Sequence, residues 1–160
     1  MITKNFSNYL YGCSEYSSTR QNRKTASITD LTGDKLETPA DQYASTWLKT
    51  FTPGPSTNPG AFWLVLGNDN TPATPNDYKI NEITGLTPLV GDYILNNGKI
   101  RIYRTFANNT DSDITVSEVG LAVIASTSKR EKPILISREV LDSEYVIKSG
   151  GAQVFGIDIG

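Results

Sequence analysis

The stretch Asp113-Ile-Thr-Val-Ser-Glu-Val-Gly-Leu-Ala-Val-Ile-Ala125 constrains the fold more than any other part of the chain. Its first half alternates. Ile114, Val116 and Glu118 point to one side and Thr115, Ser117 and Val119 to the other, as extended backbone dictates. From Val119 the polar half disappears, with Leu121 and Val123 on one face and Ala122 and Ile124 on the other. A strand apolar on both faces has to be covered on both, by its own fold or by another chain. The run also holds a carboxylate, Glu118, and a strand glycine, Gly120.

Strand signals recur through the second part of the chain. Ala61 to Leu66 is an apolar run closed by Gly67, and Asn68 to Asn76, with two Thr-Pro pairs, reads as a loop. Gly85 to Gly91 reads as irregular and Asp92 to Leu95 as a short strand. Asn96-Asn-Gly98 is a tight turn, since Asn and Gly tolerate positive φ. Lys99 to Phe106 alternates, with Ile100, Ile102 and Phe106 on the core side. Asn108 to Asp113 makes the next turn. After a charged loop at 126–133 come strands at Ile134 to Leu141 and Tyr145 to Ile147, a turn at Lys148 to Gly151, and a closing strand at Gln153 to Ile159. Short strands at this spacing, without a long helical period between them, predict an all-β fold, an antiparallel β-sandwich or jelly roll.

The first 60 residues read differently. Phe6, Tyr9 and Leu10 fall at helical spacing behind Thr3, a plausible N-cap. Residues 14–26 offer too little apolar area to pack. Ser27 to Leu31 alternates and stops at the turn Thr32-Gly-Asp34. The stretch Thr52 to Gly60 holds three prolines and two glycines and cannot be a regular element. It marks a boundary: residues 1–60 form an extended, partly irregular N-terminal arm or assembly segment, and residues 61–160 the β-sandwich domain.

Composition excludes several functions. There is no histidine among the 160 residues, which removes Ser-His-Asp and Cys-His catalysis in their usual form and histidine metal sites. The single Cys13 cannot form an intrachain disulfide. The formal charge of −2 argues against direct nucleic-acid binding, and Arg20-Gln-Asn-Arg-Lys24 reads as a solvated basic turn. No secretory signal is recognisable, and no apolar run approaches the roughly 20 residues of a membrane helix, so no membrane partner is expected. No nucleotide-binding loop is present, and no cofactor is expected.

Weaker signals remain. Asp77, Asp92, Asp111, Asp113 and Glu118 are the carboxylates that could pair in glycosidase fashion, although nothing in the sequence fixes a separation. Asn68-Asp-Asn70 and Asn108 to Asp113 are oxygen-rich enough for calcium but match no twelve-residue calcium loop, and they read as turn formers. Trp47, Trp63, Tyr43, Tyr78 and Tyr93 could form a sugar platform, with Trp63 better placed in the core. Phe6, Tyr9, Leu10, Tyr43 and Trp47 are the candidate interface residues. Asn108-Asn-Thr110 matches a glycosylation sequon and is read as chance in a chain without a secretory signal. Glu118, sharing a face with Ile114 and Val116, would be half buried and in need of a partner. Arg138, in Ile136-Ser-Arg-Glu139, supplies one, so the two are expected to form a structural ion pair whose loss lowers melting by a few degrees.

In order, the chain carries Trp63-Leu-Val-Leu-Gly67, a Thr/Pro loop to Asn76-Asp-Tyr78, Phe106-Ala-Asn108, Ile114-Thr-Val-Ser-Glu-Val-Gly-Leu121 and Leu135-Ile-Ser-Arg138. This order over residues 61–160 resembles a β-sandwich module of virion structural proteins of tailed bacteriophages, in tail and head-attached proteins. The stretch after the first strand departs from that pattern, being Gly67-Asn-Asp-Asn70 where a glycine-rich run is usual. The resemblance implies a non-enzymatic virion component, made in the host cytoplasm, whose partners are other virion proteins and further copies of itself as a homo-oligomer. The alternative is a carbohydrate- or receptor-binding β-sandwich.

Overall fold

The strands in a computed structural model, which describes residues 1–8, 27–37, 62–126 and 131–159, are all antiparallel. In chain order they are β1 (Ser27–Thr29), β2 (Lys35–Glu37), β3 (Phe62–Gly67), β4 (Leu86–Asn96), β5 (Lys99–Asn108), β6 (Ile114–Ser126), β7 (Glu131–Ile147) and β8 (Ala152–Ile159). One sheet runs β3-β6-β7 and a second β4-β5-β8, while β1 and β2 form a small hairpin. The fold is all-β and sandwich-like. Leu64, Leu66, Val116, Val119, Leu121, Val123, Ile134 and Ile136 of the first sheet meet Ile102, Phe106, Phe155 and Ile157 of the second. Phe106 and Phe155 pack edge to face across β5 and β8 with ring centres 6.3 Å apart.

Local chemistry explains the connections. Asn97 and Gly98, both at positive φ (50° and 77°), make the two-residue turn joining β4 to β5, the geometry that matches strand twist. The Asp30 carboxylate accepts from the backbone of Thr32 and Asp34, both at 2.9 Å, and closes the β1–β2 turn around Gly33.

Two departures from simple alternation matter. Residues 85–91, read as irregular, mostly belong to β4. Pro88 has no N–H to donate and is tolerated because β4 is an edge strand; a bulge between Pro88 and Gly91 absorbs the misfit. In β6, a second bulge falls between Val116, which pairs with Tyr145, and Glu118, which pairs with Val140. Across this step β6 has one unpaired residue, Ser117, and β7 has four, residues 141–144, and the facing of the β6 side chains reverses. Val116 faces the core, and so do Val119, Leu121 and Val123. Glu118 therefore does not share a face with Ile114 and Val116, as strict alternation predicts. It points out of the sandwich with Gly120 and Ala122.

That outer face is covered by the chain itself. Ala122 packs with Val65 and Ile80, flanked by Leu31 and Trp63. Residues 1–3 lie along the free edge of β7: Thr3 N–H donates to Ile136 O (3.0 Å), Arg138 N–H to Met1 O (2.9 Å) and the Thr3 hydroxyl to Leu135 O (2.8 Å). Residues 4–8 form one short helix. Phe6, expected at a subunit interface, is half buried against the chain's own core, and Ile28 of β1 is fully buried there. Tyr9, Leu10, Cys13, Arg20 to Lys24, Tyr43, Trp47 and the boundary at 52–60 lie outside the described residues. Ile100, expected in the core, sits past its end and is 36% exposed.

Candidate functional site

The polar centre of the molecule lies on the outer face of the β3-β6-β7 sheet, under the loop from Asn68 to Glu82. The parity change at Ser117 aims Glu118 into this position, where it is completely buried. One carboxylate oxygen, Oε2, accepts from Arg138 Nε at 2.5 Å. The other, Oε1, accepts the backbone N–H groups of Asn81 (2.9 Å) and Asp69 (3.3 Å). Both oxygens of a buried charge are thus occupied, one by a cation and one by the loop backbone.

Arg138, one strand over on β7, is almost as deeply buried. Besides Glu118 it holds Asp77 through Nη1 (2.9 Å to Oδ2), and its Nη2 lies 3.5 Å from Asp69 Oδ2 without a hydrogen bond. Asp69 and Asp77 also tie down their own turns: Asp69 accepts from the N–H and hydroxyl of Thr71, Asp77 from those of Thr74. Burial works to raise the Asp77 carboxyl and is outweighed by the Thr74 and Arg138 hydrogen bonds, which hold it below its ordinary range. The Thr71 hydrogen bonds hold Asp69 down likewise. Burial opposes the charge on Arg138, but Asp77 and Glu118 win and raise its pKa.

Gly67 makes room for this arrangement. It pairs directly with Glu118, and a Cβ at that position would collide with the Glu118 carboxyl group. Above the network is a cleft of about 360 Å³ lined by Asp69, Thr71, Asn76, Asp77, Tyr78 and Asn81 over Glu118 and Arg138.

The structure brings Glu118 and Arg138 together, adds Asp77 from the carboxylate candidates, and leaves the other candidates elsewhere. Asp92 accepts its neighbour's Tyr93 N–H, at 2.7 Å. Asp113 pairs with Lys148 (2.7 Å), a hydrogen bond that lowers its carboxyl pKa, and also accepts Ser149 N–H. Asp111 is exposed on the same turn. Around Glu118, the carboxylates wrap a guanidinium, and among the described residues no group of three potential ligands is arranged for a metal ion. The oxygen-rich turn 108–113 is built on Asn108, whose buried amide donates to Ser112 O and Ile147 O while its oxygen accepts from Thr110. The sequon asparagine is thus inside the fold. Of the aromatic candidates, Trp63 packs beside Val65 and Ala122, Tyr78 borders the cleft, and Tyr93 belongs to the opposite sheet. They do not form one platform.

Sequence reasoning missed Asp69, Asn81 and Gly67 as partners of Glu118. A signal existed: a strand-ending glycine close in register to a strand glutamate leaves the space a carboxylate needs. Among the described residues no helix is long and apolar enough to cross a membrane. The chain matches no protein-family model, no curated protein and no solved structure.

Proposed function

We propose that the chain is a non-enzymatic structural component of a bacteriophage virion, working through subunit–subunit contacts. It would be a capsid decoration or auxiliary protein, or a head- or tail-attached fibre or tail protein. The observation that carries the non-enzymatic part is how the buried charges are used. Glu118, Arg138, Asp77 and Asp69 are committed to one another and to the backbone of a loop, so they stiffen a scaffold and leave no free acid–base pair among themselves. The ordered motifs of residues 61–160 support the virion part. Mass spectrometry of purified particles from the producing host tests it: the chain should be present in repeated, stoichiometric copies, and its absence from particles refutes the proposal.

A second reading, recognition of a carbohydrate or receptor, has the cleft over Asp69 and Asp77 in its favour, because carboxylates and amides beside a tyrosine suit hydroxyl groups. A glycan array on the full chain tests it. Binding that Asp69→Ala and Tyr78→Ala abolish would support it, and an array without specific binding would remove it.

A further inference from the structure

The polar network leaves over two complementary groups, and both border the cleft above it. Arg138 lies at the base of the cleft with a side chain only 5% exposed. Its Nε is taken by Glu118 and its Nη1 by Asp77, while Nη2 donates to no acceptor among the described residues. A buried guanidinium N–H without an acceptor is costly, and folds ordinarily supply one. Asp69 has the matching surplus. Its Oδ1 takes both the N–H and the hydroxyl of Thr71, and its Oδ2, 3.5 Å from Arg138 Nη2, accepts no hydrogen bond. The Asp69 side chain is 42% exposed and lines the cleft, so a molecule entering there meets it directly. The Thr71 hydrogen bonds hold its carboxyl below the ordinary value, which keeps it ionised and purely an acceptor at neutral pH.

A single hydroxyl satisfies both atoms. They stand 3.5 Å apart, so one oxygen can lie about 2.8 Å from each. That oxygen has to accept from Nη2 and donate to Oδ2. An ammonium has no lone pair for Nη2, and a carbonyl or carboxylate has no proton for Oδ2. Water meets the requirement, and a ligand hydroxyl that displaces it reproduces both bonds. The cleft is larger than one water needs: its volume of about 360 Å³ is that of a small-molecule site. Tyr78 and Asn81 on its wall offer a phenol and an amide oxygen to further hydroxyls. Charge narrows the choice. Asp69, Asp77 and Glu118 set against Lys79 and Arg138 leave one negative charge in excess, which repels an anion.

We infer that the cleft is a neutral-sugar site, in which one hydroxyl of the sugar bridges Arg138 Nη2 and Asp69 Oδ2. This rests on the second reading above and specifies its ligand: uncharged glycans are taken, and sialylated or sulfated ones are refused. Arg138 is the fixed donor, because Glu118 and Asp77 hold the rest of its guanidinium. The bridging hydroxyl uses only atoms that the network leaves over, so binding keeps the scaffold intact.

The test begins with an array of neutral, sialylated and sulfated glycans probed with the full chain at neutral pH. Neutral glycans are expected to bind. Calorimetric titration with the smallest bound oligosaccharide and its monodeoxy analogues then locates the bridge. Loss of one particular hydroxyl should weaken binding by roughly ten- to a hundredfold. Asp69→Asn should weaken the parent sugar by a similar factor and make removal of that hydroxyl nearly neutral. Asp92→Asn, on the opposite sheet, should change neither. Melting verifies that each variant folds, and the deoxy series reads the same contact in the native chain if Asp69→Asn does not. Anionic glycans binding best would overturn the neutral-sugar site, and loss of that binding in Tyr78→Ala would leave the carbohydrate reading standing. A neutral sugar held equally by the native chain and Asp69→Asn overturns the bridge. An array without specific binding removes the inference and the carbohydrate reading together.

Discussion

Replacing Glu118 by alanine is the sharpest test of how the polar centre works. The substitution removes a carboxylate that is fully buried, ion-paired to Arg138 and bonded to two loop N–H groups. Breaking a buried ion pair by deleting one partner costs about 3–5 kcal/mol, because the other charge stays buried. Asp77 still holds Arg138 at 2.9 Å, which keeps this contribution toward the lower end. The Asn81 and Asp69 N–H groups lose their acceptor, at about 1 kcal/mol each where water cannot replace it. The sum is roughly 4 kcal/mol. At about 2–4 °C per kcal/mol for a chain of this size, melting should fall by roughly 10 °C, more than the few degrees expected of a half-buried carboxylate. Urea unfolding followed by tryptophan fluorescence, with calorimetry alongside, measures both quantities. Glu118→Gln keeps an acceptor for the loop and loses only the charge, so it should cost about half as much. A loss below about 1 kcal/mol for Glu118→Ala, with an unchanged urea slope, would refute the argument that the carboxylate anchors the loop.

Other outcomes follow from the same geometry. Gly67→Ala should destabilise by about 2 kcal/mol or more in urea unfolding, since its Cβ collides with the Glu118 carboxyl in a packed site; pairing it with Glu118→Ala should recover part of the loss, as a double-mutant cycle would record. Asp77 has a depressed pKa, so its stabilisation is complete above the ordinary carboxylate value of 3.8 and is lost as pH falls through the lower folded value; an acid titration of stability should be shallower in Asp77→Asn. Asn108→Ala should cost about 2 kcal/mol by thermal melting, because Ser112 O and Ile147 O lose their donor inside the fold.

The parts of the fold legible in the sequence were those encoded locally. The Asn97–Gly98 turn and the two-sided apolar run of β6 each announce themselves in a few residues. The pairing of Glu118 with Arg138 follows from a simple need, a buried carboxylate requiring a cation, although the face on which they meet did not. Ser117 carries no local mark of a bulge; the irregularity arises because the one residue of β6 between Val116 and Glu118 lies opposite four of β7 between Tyr145 and Val140, a mismatch of two strands that neither segment shows by itself. The stretch Gly85 to Gly91 read as irregular, whereas most of it is strand, because the tolerance of Pro88 depends on β4 being an edge, a property of sheet order rather than of the segment. Asp69 and Asn81 contribute through their backbone N–H groups, for which side-chain identity gives no signal. Phe6 was legible as apolar, but not its destination, the chain's own core.

Ser117 has a further consequence, for which insertions and deletions β6 can survive. The bulge acts as a phase shifter between two halves of one strand: the first presents even-numbered residues to the core and the second odd-numbered ones. Deleting Ser117 would join inward Val116 directly to outward Glu118 and restore strict alternation, with every other residue kept on its present face. Deleting Gly120 instead, inside the regular half, has no such escape: either Leu121 and Val123 would turn outward or Glu118 would turn inward, burying a charge among leucines and isoleucines. The length of β6 is therefore under tighter physical constraint in its regular second half than at the irregular step.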